Sequence, residues 1–257
     1  MARKAADKAV SVVEVSYSDA RADIRLNRPE VLNAISFEVF DALAAAADEI
    51  VARDDVHVVV VSGEGRSFSS GIDLSSLGEF SGTLEEMIAR AQAGFRKLAA
   101  LPMPTIAVVQ GHALGAGLQV ALACDLRVVS TDASLGLLEM RYGLIPDLGG
   151  STRLPQLIGP ARAKKMIMLA ERIDGIEAER IGLAEIVVPA AELAATVDAL
   201  AARIAEPPHL AKRLAKKLCD EAPNLDREAG MDAEARAQAE TMSSPEFAEA
   251  IERSLQR

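Results

Sequence analysis

Residues 110–128 read QGHALGAGLQVALACDLRV. The run GLQVALAC (117–124) predicts a short apolar helix, entered from PTIAVVQG (104–111) and left through DLRVVS (125–130), both of which read as buried strands. At the helix start stand Gly115, Ala116 and Gly117, with the amide Gln119 one turn further on. The first N–H groups of a helix have no partner inside it and carry partial positive charge. Small residues there let a ligand atom approach the backbone; the other reading is that they let the helix pack closely against its surroundings.

Working outward, HVVVVSG (57–63) is a third strand of the same kind, apolar throughout and ending in Gly, as expected when both faces are covered. VSVVEVSYSD (10–19) and ADIRLNRP (22–29) predict an opening hairpin. Ser36 caps a helix in which Phe37, Phe40, Leu43, Ala44, Ala47, Ile50 and Val51 recur at helical spacing, with Glu38 in its first turn. TLEEMIARAQAGFRKLAAL (83–101) is a second helix. The β-α-β-α alternation predicts a parallel core sheet with helices against it. After about residue 155 the chain is helix-like with little strand signal, so residues 1–190 are expected to form an α/β core and 191–257 a helical region for packing and oligomerisation.

Half of the 257 residues are hydrophobic and only 3% aromatic, so the interior has to be packed mainly with Ala, Leu, Val and Ile. A formal charge of -10 argues against nucleic acid as a partner. The two cysteines and three histidines show no metal-ligand spacing and no disulfide framework. The N-terminus MARKAADKAV lacks a signal-peptide core and no run has the length of a membrane span, which makes the cytoplasm the expected compartment.

A second loop, GEGRSFSSGIDL (63–74), follows a buried strand and can aim N–H groups of its own. Two such loops at the carboxyl ends of neighbouring parallel strands could direct two donors at one oxygen, the arrangement of an oxyanion hole.

Together, LNRPEVLNAIS, GRSFSSGIDL, QGHALGAGLQVALACDLRV, GLIPDLGGSTRLPQLIG and GLAEIVVP resemble, in order and spacing, the enoyl-CoA hydratase/isomerase (crotonase) superfamily. The resemblance implies an α/β fold of repeated ββα units with a C-terminal helical region, an acyl-CoA thioester as substrate, assembly as trimers or pairs of trimers, and no cofactor or metal beyond the coenzyme A of the substrate. Carried over position by position, it makes the N–H groups of Ile72 and Ala116 the oxyanion hole and places Val31, Leu32, Ala34 and Ser70 along coenzyme A. Glu30 stands where a Lys is common.

The resemblance also bears on the chemistry. Hydratases of the family carry Glu where this chain has Gln119, and a second Glu that corresponds to Glu139. An amide cannot take a proton, and Asp147, eight residues beyond Glu139, provides the acid pattern seen in double-bond isomerases of the family. The expected activity is therefore acyl-CoA double-bond isomerisation, with Glu139 as principal acid/base, Asp147 as its partner and Gln119 positioning by hydrogen bonds. Two rivals are an enoyl-CoA hydratase relying on Glu139 and a non-catalytic acyl-CoA binding protein. Asp73, Asp125 and His112 are expected in structural roles. The basic run KRLAKKL (212–218) is either a solvated helix face or a phosphate contact.

Overall fold

A computed structural model describes residues 11–79 and 81–256. The N-terminal stretch read for a signal peptide lies outside them, as does Val10 at the head of the expected hairpin. In chain order the elements are β1 (Val13–Ser18), β2 (Arg21–Leu26), α1 (Phe37–Val51), β3 (Val58–Gly63), α2 (Leu84–Ala99), β4 (Thr105–Val109) and β5 (His112–Leu114). There follow α3 (Ala116–Ala123), β6 (Leu126–Ser130), β7 (Ser134–Gly136), α4 (Gly150–Ile158), α5 (Pro160–Leu169), α6 (Gly175–Ile181) and β8 (Ile186–Val188). The chain closes with α7 (Leu193–Ala205), α8 (His209–Glu221), α9 (Arg227–Met242) and α10 (Pro245–Leu255).

The main sheet runs β1-β2-β3-β4-β6-β8. The β1–β2 hairpin is antiparallel and every later pairing is parallel. Successive side chains of a strand face opposite sides, and β3 shows why its sequence is apolar throughout. Val59 and Val61 join the large core with Phe40, Leu43, Leu98 and Leu118, whereas Val58 and Val60 pack with Ile106, Val128 and the α7 residues Leu193, Val197 and Ala201. A smaller layer is built from β5 and β7 in parallel, extended by bridges from Ser69 to Ala113, from Ile35 to Ile72 and from Leu135 to Ile173.

The two helices over the large core begin as their sequences predict. The Ser36 hydroxyl accepts from the Val39 N–H at 3.4 Å, and Thr83 and Glu86 close a reciprocal capping box at α2. Where the two cross, a Cβ on Gly94 would lie 2.5 Å from the Phe40 carbonyl oxygen, so only glycine permits the approach.

One expectation needs correction. The last third is not purely helical, because Ile186–Val188 pairs with β6 as the edge of the main sheet. Three residues after a helix-patterned stretch are too few to show a strand period; tertiary pairing makes them one. Beyond β8, α7 covers the second face of the sheet. The helices α8, α9 and α10, in contrast, bury no residue completely.

β8 is secured by Arg127 on β6, 1% exposed. Its guanidinium donates to the Leu183 carbonyl at 2.7 Å and the Cys124 carbonyl at 3.0 Å and pairs with Glu185, which also accepts from the Arg127 N–H at 2.6 Å. Removing the cation strands buried carbonyls and a carboxylate. Arg127→Met is expected to lower unfolding free energy by about 3 kcal/mol or more in urea titration; a loss under about 1 kcal/mol would contradict this anchoring.

Candidate active site

The two Gly-rich turns meet at one end of the small layer. The Ser69 N–H donates to the His112 carbonyl at 2.7 Å, and the Leu114 N–H to the Ser69 carbonyl at 3.1 Å. Side chains have been removed wherever they would keep the turns apart. A Cβ on Gly71 would lie 2.8 Å from the Leu114 carbonyl oxygen, and one on Gly117 2.6 Å from the Ser69 Cβ. The small triplet thus serves close packing at Gly117, while Gly115 adopts φ +51°, which disfavours residues with a side chain.

This packing leaves two N–H groups uncommitted. The Gly71 carbonyl accepts from the Ile35 N–H at 2.8 Å. In a trans peptide unit the C=O and N–H point oppositely, so the Ile72 N–H is turned away from Ile35. Ala116 opens α3, where an N–H has no intrahelical acceptor. Neither N–H donates to another of the described residues. The would-be Cβ of Gly71 is 3.9 Å from the Ala116 nitrogen, which places the two turns in contact.

Glu139 begins a 3-10 turn (Glu139–Tyr142) soon after β7 and reaches back to the start of α3. One of its oxygens, Oε1, lies 3.4 Å from where a Cβ on Gly115 would stand and accepts from the Gln119 Nε2 at 2.8 Å. The other, Oε2, is buried and has no partner among the described residues. Burial raises the Glu139 pKa and the Asp147 charge adds to the rise, against the lowering effects of its own backbone N–H and the Gln119 amide. Asp147, half-buried in the following loop, is raised chiefly by burial.

Gln119 is 1% exposed and its amide orientation is dictated by its partners. Its carbonyl oxygen accepts from the Leu148 N–H at 2.8 Å and the Gly150 N–H at 3.0 Å, so the NH₂ end is the one that faces Glu139. The residue therefore ties the carboxyl to the loop that carries Asp147.

The residues assigned to coenzyme A are also drawn together. The Ser70 N–H donates to the Leu32 carbonyl at 2.9 Å and its hydroxyl to the Val31 carbonyl at 3.2 Å, while the Ala34 carbonyl accepts from Arg28 at 2.7 Å. Leu32 and Asn33 have positive φ, 53° and 55°. Asn33 is an organising residue that sequence reading passed over: its Oδ1 accepts from the Arg28 N–H, and its Nδ2 donates to the carbonyls of Glu64 and Ser67. The available signal was its residue type, since Asn tolerates left-handed backbone. Gln92 was also missed; it donates to the Asp147 carbonyl from α2 at 2.8 Å, a contact between distant segments without local signature.

Asp73 accepts from Ser75 and pairs with Arg28 at 2.9 Å, which holds its carboxyl below the usual range. Asp125 accepts from the Thr105 N–H and pairs with Lys216 at 2.6 Å. His112 belongs to β5. Within the basic run, Lys216 is thus occupied internally and Lys212 donates to the carbonyls of Arg203, Ile204 and Glu206.

Comparison with known proteins agrees with this arrangement. The sequence profile of the enoyl-CoA hydratase/isomerase family matches residues 17–256. A crotonyl-CoA hydratase of Syntrophomonas wolfei is 36% identical over 218 residues, 82% of each chain. The structure of an enoyl-CoA hydratase from Bacillus anthracis superposes with a TM-score of 0.90 at 32% identity, covering 94% of this chain and 95% of that one. A Thermobifida fusca protein solved in complex with acetoacetyl-CoA gives a TM-score of 0.84 at 36% identity, covering 91% and 95%. Sheet order, apposed glycine turns and the near full-length match lead to one conclusion: this chain belongs to the enoyl-CoA hydratase/isomerase family, the crotonase superfamily.

Proposed function

We propose that the chain is an acyl-CoA double-bond isomerase. In this reading the Ile72 and Ala116 N–H groups receive the thioester carbonyl oxygen, Glu139 takes a proton from the adjacent carbon, and Glu139 or Asp147 returns one at the far end of the conjugated system. The reaction is balanced: one C–H bond is lost, another formed, and the double bond moves between them. Two fixed donors stabilise the enolate oxygen more than the ground-state carbonyl, by about 3 kcal/mol each in comparable sites.

The observation that carries the reading is the state of Gln119. A two-carboxylate hydratase has a second group able to exchange a proton with water; here the amide oxygen is occupied by two backbone N–H groups and the amide nitrogen donates to Glu139. That leaves Asp147 as the second carboxyl, within electrostatic reach of Glu139. A hydratase reading is favoured by the names of relatives such as the Syntrophomonas crotonyl-CoA hydratase; it would have Glu139 act alone while the remaining Gln119 amide hydrogen holds the water.

Coenzyme A, part of the substrate, would run past Val31, Leu32, Ala34 and Ser70, with no resident cofactor required. A homotrimer or pair of trimers in the cytoplasm completes the proposal; the apolar side chains of Met231, Met242, Phe247, Ile251 and Leu255, exposed on α9 and α10, support assembly. Among the described residues no helix is long and apolar enough to cross a membrane.

Incubation with 3-hexenoyl-CoA, a 3,5-dienoyl-CoA and crotonyl-CoA should give rapid double-bond migration and slow hydration; fast hydration without migration would overturn the assignment. Glu139→Gln should lower kcat by roughly 10²–10⁴-fold in either enzyme reading, and unchanged turnover would remove Glu139 from the mechanism. Because Glu139 must be ionised to accept the proton and its pKa is raised, activity should fall as pH drops through a value above the ordinary Glu pKa of about 4.3. An acid limb at or below that value would contradict the described environment.

A further inference from the structure

One peptide unit in the site is held at both ends by glutamines. The N–H of the Asp147–Leu148 peptide donates to Gln119 Oε1 at 2.8 Å, and its C=O accepts from Gln92 Nε2 at 2.8 Å. The orientation of Gln92 is fixed in turn, because Arg96, one helical turn along α2, donates to Gln92 Oε1 at 2.7 Å and leaves the NH₂ end for the loop. Beside the clamp, a Cβ on Gly149 would lie 2.5 Å from the Phe95 ring, so α2 and this loop are in tight contact.

The loop needs such support. Residues 140–145 ahead of Asp147 are exposed, and Asp147 has no side-chain hydrogen bond of its own to another of the described residues to set its direction. A peptide fixed at both its donor and its acceptor cannot rotate, so the Cα of the residue supplying the C=O is held in place and the reach of its side chain is limited. We infer that Gln92 is a positioning residue: with Gln119 it clamps the Asp147–Leu148 peptide and thereby holds the Asp147 carboxyl where it acts on Glu139. The inference deepens the proposed function, since it rests on Asp147 having a part in the reaction.

The consequence is electrostatic. Around Glu139 the polar partners are its own backbone N–H and the neutral Gln119 amide; Asp147 is the charge that acts on it, and Arg141, on its own turn, is directed to the Ala170 carbonyl at 3.0 Å. Arg96 is exposed on α2 and engaged with Gln92. If the Asp147 carboxylate swings away, Glu139 loses a repulsion and ionises more easily, so the acid limb of the pH–rate profile moves to lower pH.

Gln92→Met keeps the length and removes the donor; Gln92→Asn, polar but too short to reach, is the second variant should the first fold poorly. Amide hydrogen exchange of the intact protein, followed by mass spectrometry, should be about tenfold faster over residues 144–150 and unchanged over β3 and β4. Unchanged exchange over 144–150 would overturn the clamp. With whichever of 3-hexenoyl-CoA or crotonyl-CoA is turned over, Gln92→Met should move the acid limb to lower pH. Asp147→Asn should do the same, and the double variant should show no further shift. A limb that stays put in Gln92→Met while Asp147→Asn moves it would overturn the positioning role. If Asp147→Asn leaves the profile untouched, it is the reading of Asp147 that fails, and the exchange result alone decides the clamp.

Discussion

The site depends on two turns being pressed together closely enough to exclude side chains. Gly71 against the Leu114 carbonyl and Gly117 against Ser69 leave no room for a Cβ, and the ladder through Ser69, His112 and Leu114 fixes the approach. The sheet makes this contact possible. Parallel β3 and β4 end on the same side, so the chain leaving each one enters the same small layer, with the Ser69–Ala113 bridge as the join. Backbone donors built into such a frame need no reorganisation when charge develops on a ligand oxygen, which is why backbone geometry can do work that side chains do elsewhere.

One neutral residue, Gln119, sets the electrostatics of its neighbour Glu139. A carboxylate at position 119 could still accept from the Leu148 and Gly150 N–H groups, but it would confront Glu139 with a like charge and oblige the pair to share a proton. The amide avoids that. It stabilises the ionised form of Glu139 through one donated hydrogen bond, leaves Oε2 without a partner among the described residues, and engages its own oxygen in organising the next loop. In the proposed reaction the second carboxyl comes instead from Asp147, whose placement depends on backbone contacts from two helices.

Much of this was legible in the sequence where the signal was local. The helix over Phe37–Val51 could be read from its Ser36 cap and apolar spacing, and the buried strands from apolar runs ending at Gly or entered from polar residues. β8 could not be read, because three residues carry no period and its strand character comes from pairing with β6 and the Arg127 anchor. The role of α7 on the far face of the sheet was equally hidden, since an apolar stripe says that a helix packs but not on what. At the site, family resemblance showed the residue types at 119 and 147 departing from the hydratase pattern and Glu139 keeping to it. That Gln119 binds Leu148 and Gly150, 29 and 31 positions away, follows only from the fold.

In the proposed reaction the Ile72 and Ala116 N–H groups act on a single thioester oxygen. Infrared difference spectroscopy of an acyl-CoA carrying a ¹³C-labelled thioester carbonyl, bound to the Glu139→Gln protein so that turnover does not intervene, reads that interaction directly. With both donors on the oxygen, the carbonyl stretch should lie at lower frequency than in free solution, as two hydrogen bonds weaken the C=O bond. A band at the frequency of the free thioester would contradict it.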